Sequence, residues 1–293
     1  MTMWKRWISL ILALGIFTAM AMGSSSDTDT GTTNPIADAE TAAMEQAVTI
    51  EEQVLLDRDG VKITAMEYVE DDIFGAGIKV LVENTTDKDL GVGCKALIVN
   101  DFMISDLFSS TVAAGKKANE TIYLSGSALE AAGITNVGQI EIYFYVYSAD
   151  TYDTIFEADP VTIKTSSFDI MDSTPSEEGI VLYEGNGVKI VGKYVDEDSF
   201  WGTGVLLYLE NNTDKKLVFS CEDMSINGFM VNPVFYGEVY AGKKAVDEIT
   251  IFSSDLESNN ITAIEEIEVK FHIYNSDTYD TLVETDPIKI TVE

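Results

Sequence analysis

The chain contains one sequence pattern twice. Residues 150–160 read Asp-Thr-Tyr-Asp-Thr-Ile-Phe-Glu-Ala-Asp-Pro, and residues 277–287 read Asp-Thr-Tyr-Asp-Thr-Leu-Val-Glu-Thr-Asp-Pro, which is an offset of 127 residues from position 150 to position 277. The same offset relates two shorter motifs, Gly-Val-Lys-Ile at 60–63 and 187–190 and Gly-Lys-Lys-Ala at 115–118 and 242–245. Each unit has the size of an ordinary domain and is longer than a solenoid repeat. The repeat therefore predicts two copies of one domain, which fit within the 293 residues.

Alternation of apolar and polar residues predicts that each copy is built of β-strands. Residues 140–147 place Ile140, Ile142, Phe144 and Val146 on one face, and the second copy places Ile267, Val269, Phe271 and Ile273 there. Six more strands are predicted in the first copy, near 61–68, 77–83, 90–99, 102–112, 118–125 and 154–164, with a helical turn at 127–132. Short strands separated by turn motifs such as Asn227-Gly228 favour an all-β fold of two tandem immunoglobulin-like β-sandwich domains.

The N-terminus has the pattern of an export signal. Lys5 and Arg6 precede an apolar run over residues 7–17, and small residues follow at 19 and 21. The alternative is a retained membrane anchor, although the run is short for a membrane span. No cysteine follows that could carry a lipid, so we expect a secreted or cell-surface protein.

These patterns predict five segments along the chain. They are a signal peptide at 1–23, a flexible spacer at 24–50, a first sandwich at 51–165, a linker at 166–179 and a second sandwich at 180–293. The linker contains a polar stretch with one proline, which permits hinge motion between the sandwiches.

The charge of the chain limits its partners. Lys and Arg number 18 against 50 Asp and Glu, which gives a formal net charge of −32. Such a surface repels phosphate backbones, so we expect no nucleic-acid partner. Anionic membrane surfaces are disfavoured too, and membrane contact is expected only if the N-terminal segment is not cleaved.

Few residues carry the chemistry of a catalytic centre. Cys94 and Cys221 occupy equivalent positions, so neither copy offers an internal disulfide partner, and we interpret both as buried thiols. A single histidine, His272, makes a catalytic triad or a transition-metal site improbable. No catalytic residue is predicted, and we expect a protein that is not an enzyme.

The acidic turn of the repeat is a candidate calcium site. Its aspartates are Asp150, Asp153 and Asp159 in the first copy and Asp277, Asp280 and Asp286 in the second. Oxygen ligands on loops suit Ca²⁺, whereas transition-metal cofactors are not expected. The alternative is turn chemistry, because aspartate accepts backbone hydrogen bonds in tight turns.

A stripe of tyrosines is a candidate partner-binding surface. Tyr143, Tyr145 and Tyr147 alternate along one strand and therefore share a face. Exposed aromatic side chains can contact carbohydrate or protein. The alternative is packing against the neighbouring domain or a cross-strand partner. The second copy has Lys270 and His272 in place of the first two tyrosines, so a ligand would contact the copies differently.

One family resemblance follows from the short motifs. Gly-Val-Lys-Ile, Val-Glu-Asn-Thr-Thr-Asp-Lys and Ala-Gly-Lys-Lys-Ala, followed by a closing hairpin, resemble the immunoglobulin-like (telokin-like) domains of uncharacterised secreted proteins and lipoproteins of Gram-positive bacteria. The resemblance covers both copies and implies an extracytoplasmic location with no known activity. This chain differs from the lipoprotein members because it lacks the lipid-bearing cysteine.

Taken together, the sequence favours an exported, non-enzymatic binding or presentation protein of the bacterial cell envelope, whose partner is an unknown protein or glycan. One alternative is an envelope carbohydrate hydrolase that uses acidic loop residues, which a pocket with two facing carboxylates would favour. Another is a purely structural spacer, which the lack of any exposed apolar patch would favour.

Overall fold

The computed structural model describes residues 5–7, 47–71, 75–104, 108–174, 178–199 and 202–292. The predicted cleavage site and most of the predicted spacer lie outside these residues. Both copies belong to one compact unit. Among the described helices, none combines the length and the apolar character that crossing a bilayer requires.

The first copy consists of ten strands and one short helix in the described residues. They are β2 (Gln53–Arg58), β3 (Val61–Asp71), β4 (Gly75–Asn84), β5 (Leu90–Val99), β6 (Phe102–Ile104), β7 (Ser109–Val112), β8 (Lys117–Tyr123), α1 (Gly126–Ala131), β9 (Gln139–Ser148), β10 (Thr154–Glu157) and β11 (Val161–Lys164). A strand β1 (Lys5–Trp7) precedes them, and a 3₁₀ helix (Phe168–Ile170) follows.

The second copy repeats these elements in the same order. They are β12 (Ile180–Gly185), β13 (Val188–Ser199), β14 (Gly202–Asn211), β15 (Leu217–Ile226), β16 (Phe229–Met230), β17 (Tyr236–Val239), β18 (Lys244–Phe252), α2 (Ser253–Ser258), β19 (Glu266–Asn275), β20 (Thr281–Glu284) and β21 (Ile288–Thr291). Each element begins 127 residues after its counterpart, as β4 at 75 and β14 at 202 illustrate.

Each copy is a sandwich of two sheets. In the first copy one sheet has the order β2-β3-β4-β8, and the other is centred on the β5–β9 pair, with β6 and β7 beside β5 and β10 and β11 beside β9. The second copy has the same pairing. The chain changes sheets from β4 to β5, from β7 to β8 and from β8 to β9, which is an immunoglobulin-like connectivity. The predicted fold class, all-β with two tandem immunoglobulin-like sandwiches, is confirmed.

The predicted apolar face of β9 does line the core. Ile140, Ile142, Phe144 and Val146 are almost wholly buried, and so are their counterparts on β19. Burying a large apolar side chain of this kind contributes about 1.5 to 3 kcal/mol. Alternating burial along these two central strands therefore accounts for much of the stability of each sandwich.

A buried asparagine fixes one end of each sandwich. The side-chain amide of Asn84 donates to the carbonyl oxygens of Lys88 and Val112 at 2.7 and 2.9 Å, and its Oδ1 accepts from the Thr86 amide at 2.9 Å. Asn211 makes the same three contacts 127 residues later. Because the group is buried and fully hydrogen-bonded, it holds the turn after β4 against the end of β7.

Two of the predicted strands need correction, and one observed strand was not predicted. The segments 102–112 and 154–164 each contain two strands, and the second is interrupted at Pro160, which has no backbone amide for a ladder. The strand β2 was not predicted, because its register shifts between Val54 and Leu56 and this shift disturbs the alternation. The predicted helical turn at 127–132 is α1.

The two copies are joined by a parallel strand pair. Lys244 of β18 lies opposite Phe102 of β6, and Ala245 lies opposite Met103. The Lys244 amide donates to the carbonyl oxygen of Asp101 at 2.9 Å. One sheet of the second copy is therefore continuous with a sheet of the first, which differs from the hinge that the polar linker suggests.

Charged and aromatic side chains reinforce this junction. Lys243 Nζ lies 2.9 Å from a carboxylate oxygen of Asp101 and 2.9 Å from one of Glu141, and most of the lysine and Glu141 side chains is buried. The rings of Tyr143 and Tyr240 meet edge to face with centroids 4.9 Å apart. An aromatic pair of this geometry contributes about 0.5 to 1.5 kcal/mol beyond its buried area.

The described ends of the predicted spacer and signal segments are also paired. The backbone of Ile50 bridges Thr165, and the Ser166 amide donates to the Thr49 carbonyl at 2.8 Å. The strand β1 runs antiparallel to residues 194–196 of β13. Residues 49 and 50 therefore attach to the end of the first sandwich, whereas β1 attaches to the second.

Lys243→Ala tests the junction. The substitution leaves two carboxylates near the interface without their cation, so we expect a loss of about 1 to 3 kcal/mol, less than for a fully buried pair because Asp101 is partly exposed. Denaturant unfolding measures the loss, and Lys215→Ala, an exposed lysine of the same copy, is the control. Equal stability of the two variants would contradict the assignment.

One interior carboxylate distinguishes the copies. Asp247 on β18 lies opposite the buried Leu207, and its Oδ2 is 2.7 Å from where a Cβ on Gly237 would lie. In the first copy the corresponding Glu120 accepts a hydrogen bond from Ser110 at 2.9 Å. Burial raises the pKa of Asp247 from 3.8 to about 6, although the backbone amide of Glu248 opposes the shift.

Asp247→Asn should therefore change the pH dependence of stability. The unfolded chain releases the Asp247 proton near pH 4 and the folded chain near pH 6, so this group lowers stability as the pH rises between those values and fully above them. We expect the variant to melt roughly 3 to 5 °C higher than the parent at pH 7.5 and equally at pH 4. Thermal melts of D247N and of the control E120Q measure this, and a pH-independent gap would refute it.

Candidate functional site

A partly exposed row of aromatic rings lies on the outer face of the first copy. The rings of Tyr145 and Tyr147 are 5.6 Å apart between centroids with an interplanar angle of 28°, and Tyr147 is 6.2 Å from Tyr152 at 20°. We call these three residues the first ladder. The two tyrosines of β9 alternate with core residues, so the strand itself directs their rings outward.

Two glycines make room for the first ladder. Gly91 and Gly93 of β5 lie opposite Tyr147 and Tyr145. A Cβ on Gly91 would lie 2.0 Å from the Tyr147 ring, and one on Gly93 would lie 2.6 Å from the Tyr145 ring. The tyrosine rings therefore lie across the neighbouring strand in the space that side chains would fill.

The end of the ladder is presented by a strained turn. Tyr152 has a φ of 61° and is 77% exposed, an unusual backbone conformation for a bulky side chain. Its amide donates to the Ser148 carbonyl at 2.8 Å, and Asp153 accepts from the Thr151 hydroxyl at 2.8 Å. These bonds hold an aromatic ring in solvent at a cost in backbone energy, which is a feature of functional sites.

The second copy carries an equivalent row, the second ladder. It consists of His272, Tyr274 and Tyr279, with centroid separations of 5.1 and 6.2 Å. Tyr279 repeats the turn conformation with a φ of 62° and is 76% exposed. The His272 ring also lies 3.0 Å from the Thr281 hydroxyl, measured at Nε2. Both copies therefore present a row of three neighbouring rings at the same place, although the His272 ring is tilted by 33° against Tyr274.

The predicted tyrosine stripe is divided between two environments. Tyr143 packs against Tyr240 of the other copy, and its hydroxyl donates to Glu141 at 2.6 Å. Burial, followed by the Glu141 carboxylate, raises the pKa of Tyr143. Tyr145 and Tyr147 instead belong to the first ladder. The partner-binding role of the stripe stays a prediction, and the geometry restricts it to these two residues.

The ladder residue Tyr152 was not predicted from the sequence. The sequence contained a signal for it, because the motif Asp-Thr-Tyr-Asp is identical in both copies, but its aspartates were interpreted first. A tyrosine held in a left-handed conformation has no sequence signature of its own, since glycine and asparagine are the usual indicators.

The six candidate calcium ligands are all exposed. They are Asp150, Asp153 and Asp159 in the first copy and Asp277, Asp280 and Asp286 in the second. Asp153 and Asp280 each accept a hydroxyl hydrogen bond from a threonine within the turn at 2.8 Å. No group of three or more potential metal ligands clusters in the described part of the chain. The calcium site stays a prediction, and the observed bonds are those of the turn alternative.

Two surface grooves of the described residues have little of the geometry of a hydrolase. One of about 630 Å³ lies against the outer face of β4 and β8 and includes two carboxylates, Glu67 and Glu120. Glu67 is ion-paired with Lys79 at 2.6 Å, and Glu120 accepts a hydrogen bond from Ser110. A second groove, of about 540 Å³, has one carboxylate among its lining residues. Neither arrangement leaves a facing pair of carboxylates ready for acid and base roles.

The two cysteines are free thiols, as the sequence predicts. Cys94 and Cys221 are half-buried, and neither is in a disulfide. Burial, with a smaller contribution from Glu222, raises the pKa of Cys221 to about 12. The Cys221 thiol is therefore protonated at neutral pH and a poor nucleophile.

Comparisons with known proteins give only distant structural likenesses. No protein-family model and no curated protein matches the chain. The Gram-positive family resemblance is therefore not supported beyond the immunoglobulin-like fold.

Three solved structures show the range of the likeness. The Salmonella enterica SafA pilin in complex with the SafB chaperone matches at 10% identity over 73% of this chain and 88% of that chain, with a TM-score of 0.21. The YadV chaperone matches at 12% over 71% and 90%, with a TM-score of 0.22. A Porphyromonas gingivalis W83 protein of unknown function matches at 12% over 74% and 89%, with a TM-score of 0.19. Scores this low carry no inference about activity.

Gly91→Ala tests how the first ladder is seated. The new Cβ would collide with the Tyr147 ring in its present position, so the ring must move away from Gly91 and change its stacking on Tyr145 and Tyr152. We expect a changed near-UV circular dichroism spectrum with a stability loss of about 1 kcal/mol or less, because only a side-chain end must move. Gly126→Ala, where no atom lies within 4 Å of the new Cβ, is the control. Identical spectra for both variants would contradict the seating.

Proposed function

We propose that the chain is an exported, non-enzymatic binding protein of the bacterial cell envelope that holds glycan on its two aromatic ladders. The observation that carries the proposal is the repetition of a three-ring row in both copies, with two half-buried rings and an exposed tyrosine in a strained conformation. The proposal treats the grooves and the cysteines as having no role in binding.

The chemistry of the ladders fits sugar rings. Each tyrosine offers an apolar ring surface that can cover the C–H face of a sugar, together with a hydroxyl that can hydrogen-bond to its polar edge. Successive rings are separated by 5.1 to 6.2 Å, so one ladder offers several adjacent contacts. A row of this kind suits an extended, repetitive ligand better than a compact one.

The charge of the protein selects among glycans. With a formal net charge of −32, the surface repels polyanions such as phosphate-rich polymers. Neutral sugar chains escape this repulsion, because they carry no charge to be excluded. The proposed ligand is therefore a neutral polysaccharide or the neutral backbone of a mixed polymer.

Two ladders on one chain make the protein bivalent. The junction of the copies, with its parallel strand pair and the ion pairs of Lys243, fixes the ladders on one scaffold. Binding of one ladder raises the effective concentration of the ligand at the other. A partly exposed aromatic row in each copy also argues against a purely structural spacer.

Removing one ring from each ladder tests the proposal. We expect Tyr147→Ser and Tyr274→Ser each to weaken binding to immobilised bacterial sacculi by tenfold or more through lost avidity, and the double variant to abolish it. Soluble N-acetylglucosamine hexamer, measured by calorimetry, reports the single-ladder affinity. Serine keeps a hydroxyl but removes the ring surface.

The matched control is Tyr123→Ser, which removes an exposed tyrosine outside both ladders. It should bind as the parent does. Retained binding in the Y147S/Y274S double variant would overturn the glycan proposal. Binding of an envelope protein that is lost in the same double variant, with no sugar binding by the parent, would assign the ladders to a protein partner instead.

A further inference from the structure

An exposed apolar hairpin lies at the far edge of the second copy. Phe229 and Met230 of β16 are 49% and 62% exposed, and Val234 nearby is also exposed. These side chains lie beside residues 225 and 226 of β15, whereas the second ladder lies at the opposite end of β15, near residues 218–220. The hairpin is therefore a surface separate from the proposed glycan site.

The same hairpin in the first copy has a partner. Phe102 and Met103 are the counterparts of Phe229 and Met230, and Phe102 is only 1% exposed. It is covered because β6 pairs in parallel with the beginning of β18, and its ring lies 6.2 Å from that of Tyr208. The β6 hairpin of the first copy therefore shows how a hairpin of this kind pairs with a strand edge.

The strand edge that receives this hairpin, the beginning of β18, also has a counterpart in the first copy, the beginning of β8. We call it the receiving edge, and no described strand pairs with its outer side. The motif Gly-Lys-Lys-Ala leads into β18 at 242–245 and into β8 at 115–118, and each strand begins at the second lysine. β8 is the last strand of its four-stranded sheet in the described part of the chain. Its outward backbone groups can therefore accept another strand, in the way that edge strands pair with other chains.

We propose that the chain associates head to tail with further copies of itself, with β16 of one molecule pairing in parallel against the beginning of β8 of the next. The register follows from the junction within the chain, so Phe229 lies opposite Lys117 and Met230 lies opposite Ala118. Lys116 takes the place of Lys243 and faces Glu268, the counterpart of Glu141. The contact is heterologous, so an assembly has a free β16 hairpin at one end and a free β8 edge at the other.

The contact between molecules is weaker than the junction within one. At least five substitutions remove favourable groups. On the hairpin side Gly228 replaces Asp101, Ser225 replaces Ile98 and Lys270 replaces Tyr143, and on the receiving side Ala113 replaces Tyr240 and Leu81 replaces Tyr208. The strong negative charge of each molecule also opposes association at low ionic strength. Association is therefore concentration-dependent and is strengthened by salt, because salt screens the repulsion while the apolar and backbone contacts persist.

Sedimentation velocity of the full-length chain tests the proposal between about 10 µM and 1 mM, the range in which weak interfaces are populated. We expect oligomers that grow with concentration and that increase from about 0.05 to 0.5 M NaCl. Phe229→Ser with Met230→Ser should weaken association by roughly tenfold or more. Both residues are exposed, so the fold is retained, which the melting temperature checks.

The receiving edge is tested by Lys117→Pro. In β18 the equivalent Lys244 amide points away from the neighbouring strand and donates to the Asp101 carbonyl. Proline at 117 removes that outward donor without removing a ladder bond inside the sheet. Lys117→Ala keeps the amide and loses only the side chain, so it should associate as the parent does.

A mixture distinguishes head-to-tail contact from a symmetric dimer. F229S/M230S retains its receiving edge and K117P retains its hairpin, so the two together should form a one-to-one pair and nothing larger. A parent chain that stays monomeric at every concentration and salt would overturn the proposal, and so would F229S/M230S or K117P chains that associate like the parent. Oligomers that the mixture extends beyond a pair would overturn it as well.

Discussion

The parallel pairing of β6 with β18 decides which surfaces of this molecule remain exposed. It covers the hairpin of one copy and the strand edge of the other, and it draws Tyr143 out of the tyrosine row and into a buried contact with Tyr240. The ladders survive as exposed surfaces because they lie at the other end of the central strands. The surfaces around these two residue pairs are therefore buried in the junction, whereas the two ladders face outward.

Duplication left the two faces of each sheet under different constraints. The inner positions of β9 and β19 are apolar in both copies, since any polar replacement there would be buried without a partner. The outer positions differ between the copies: His272 stands at the position of Tyr145, and Val218 stands at the position of Gly91. That an aromatic row persists on this permissive face, in both copies, is what separates it from ordinary surface variation.

The sequence was informative where a local rule fixes the outcome. Alternation predicted the buried face of β9 and the tandem sandwich, because a half-buried strand requires that period. Alternation did not predict β2, because the register shift in that strand breaks the period. It also could not predict that Tyr143 contacts Tyr240, because that residue lies 97 positions away in the other copy. The strained conformation of Tyr152 depends on hydrogen bonds that only the folded turn supplies.

Net charge and strand edges act in opposite directions on the association of this chain. An open edge such as β8 invites pairing with another chain, and natural proteins commonly protect such edges with charge. Here Lys116 precedes β8 and Lys117 begins it, and in a molecule of net charge −32 these lysines attract acidic neighbours while the remaining surface repels them. The local attraction acts at the contact distance and the repulsion over the Debye length, so ionic strength shifts the balance between them.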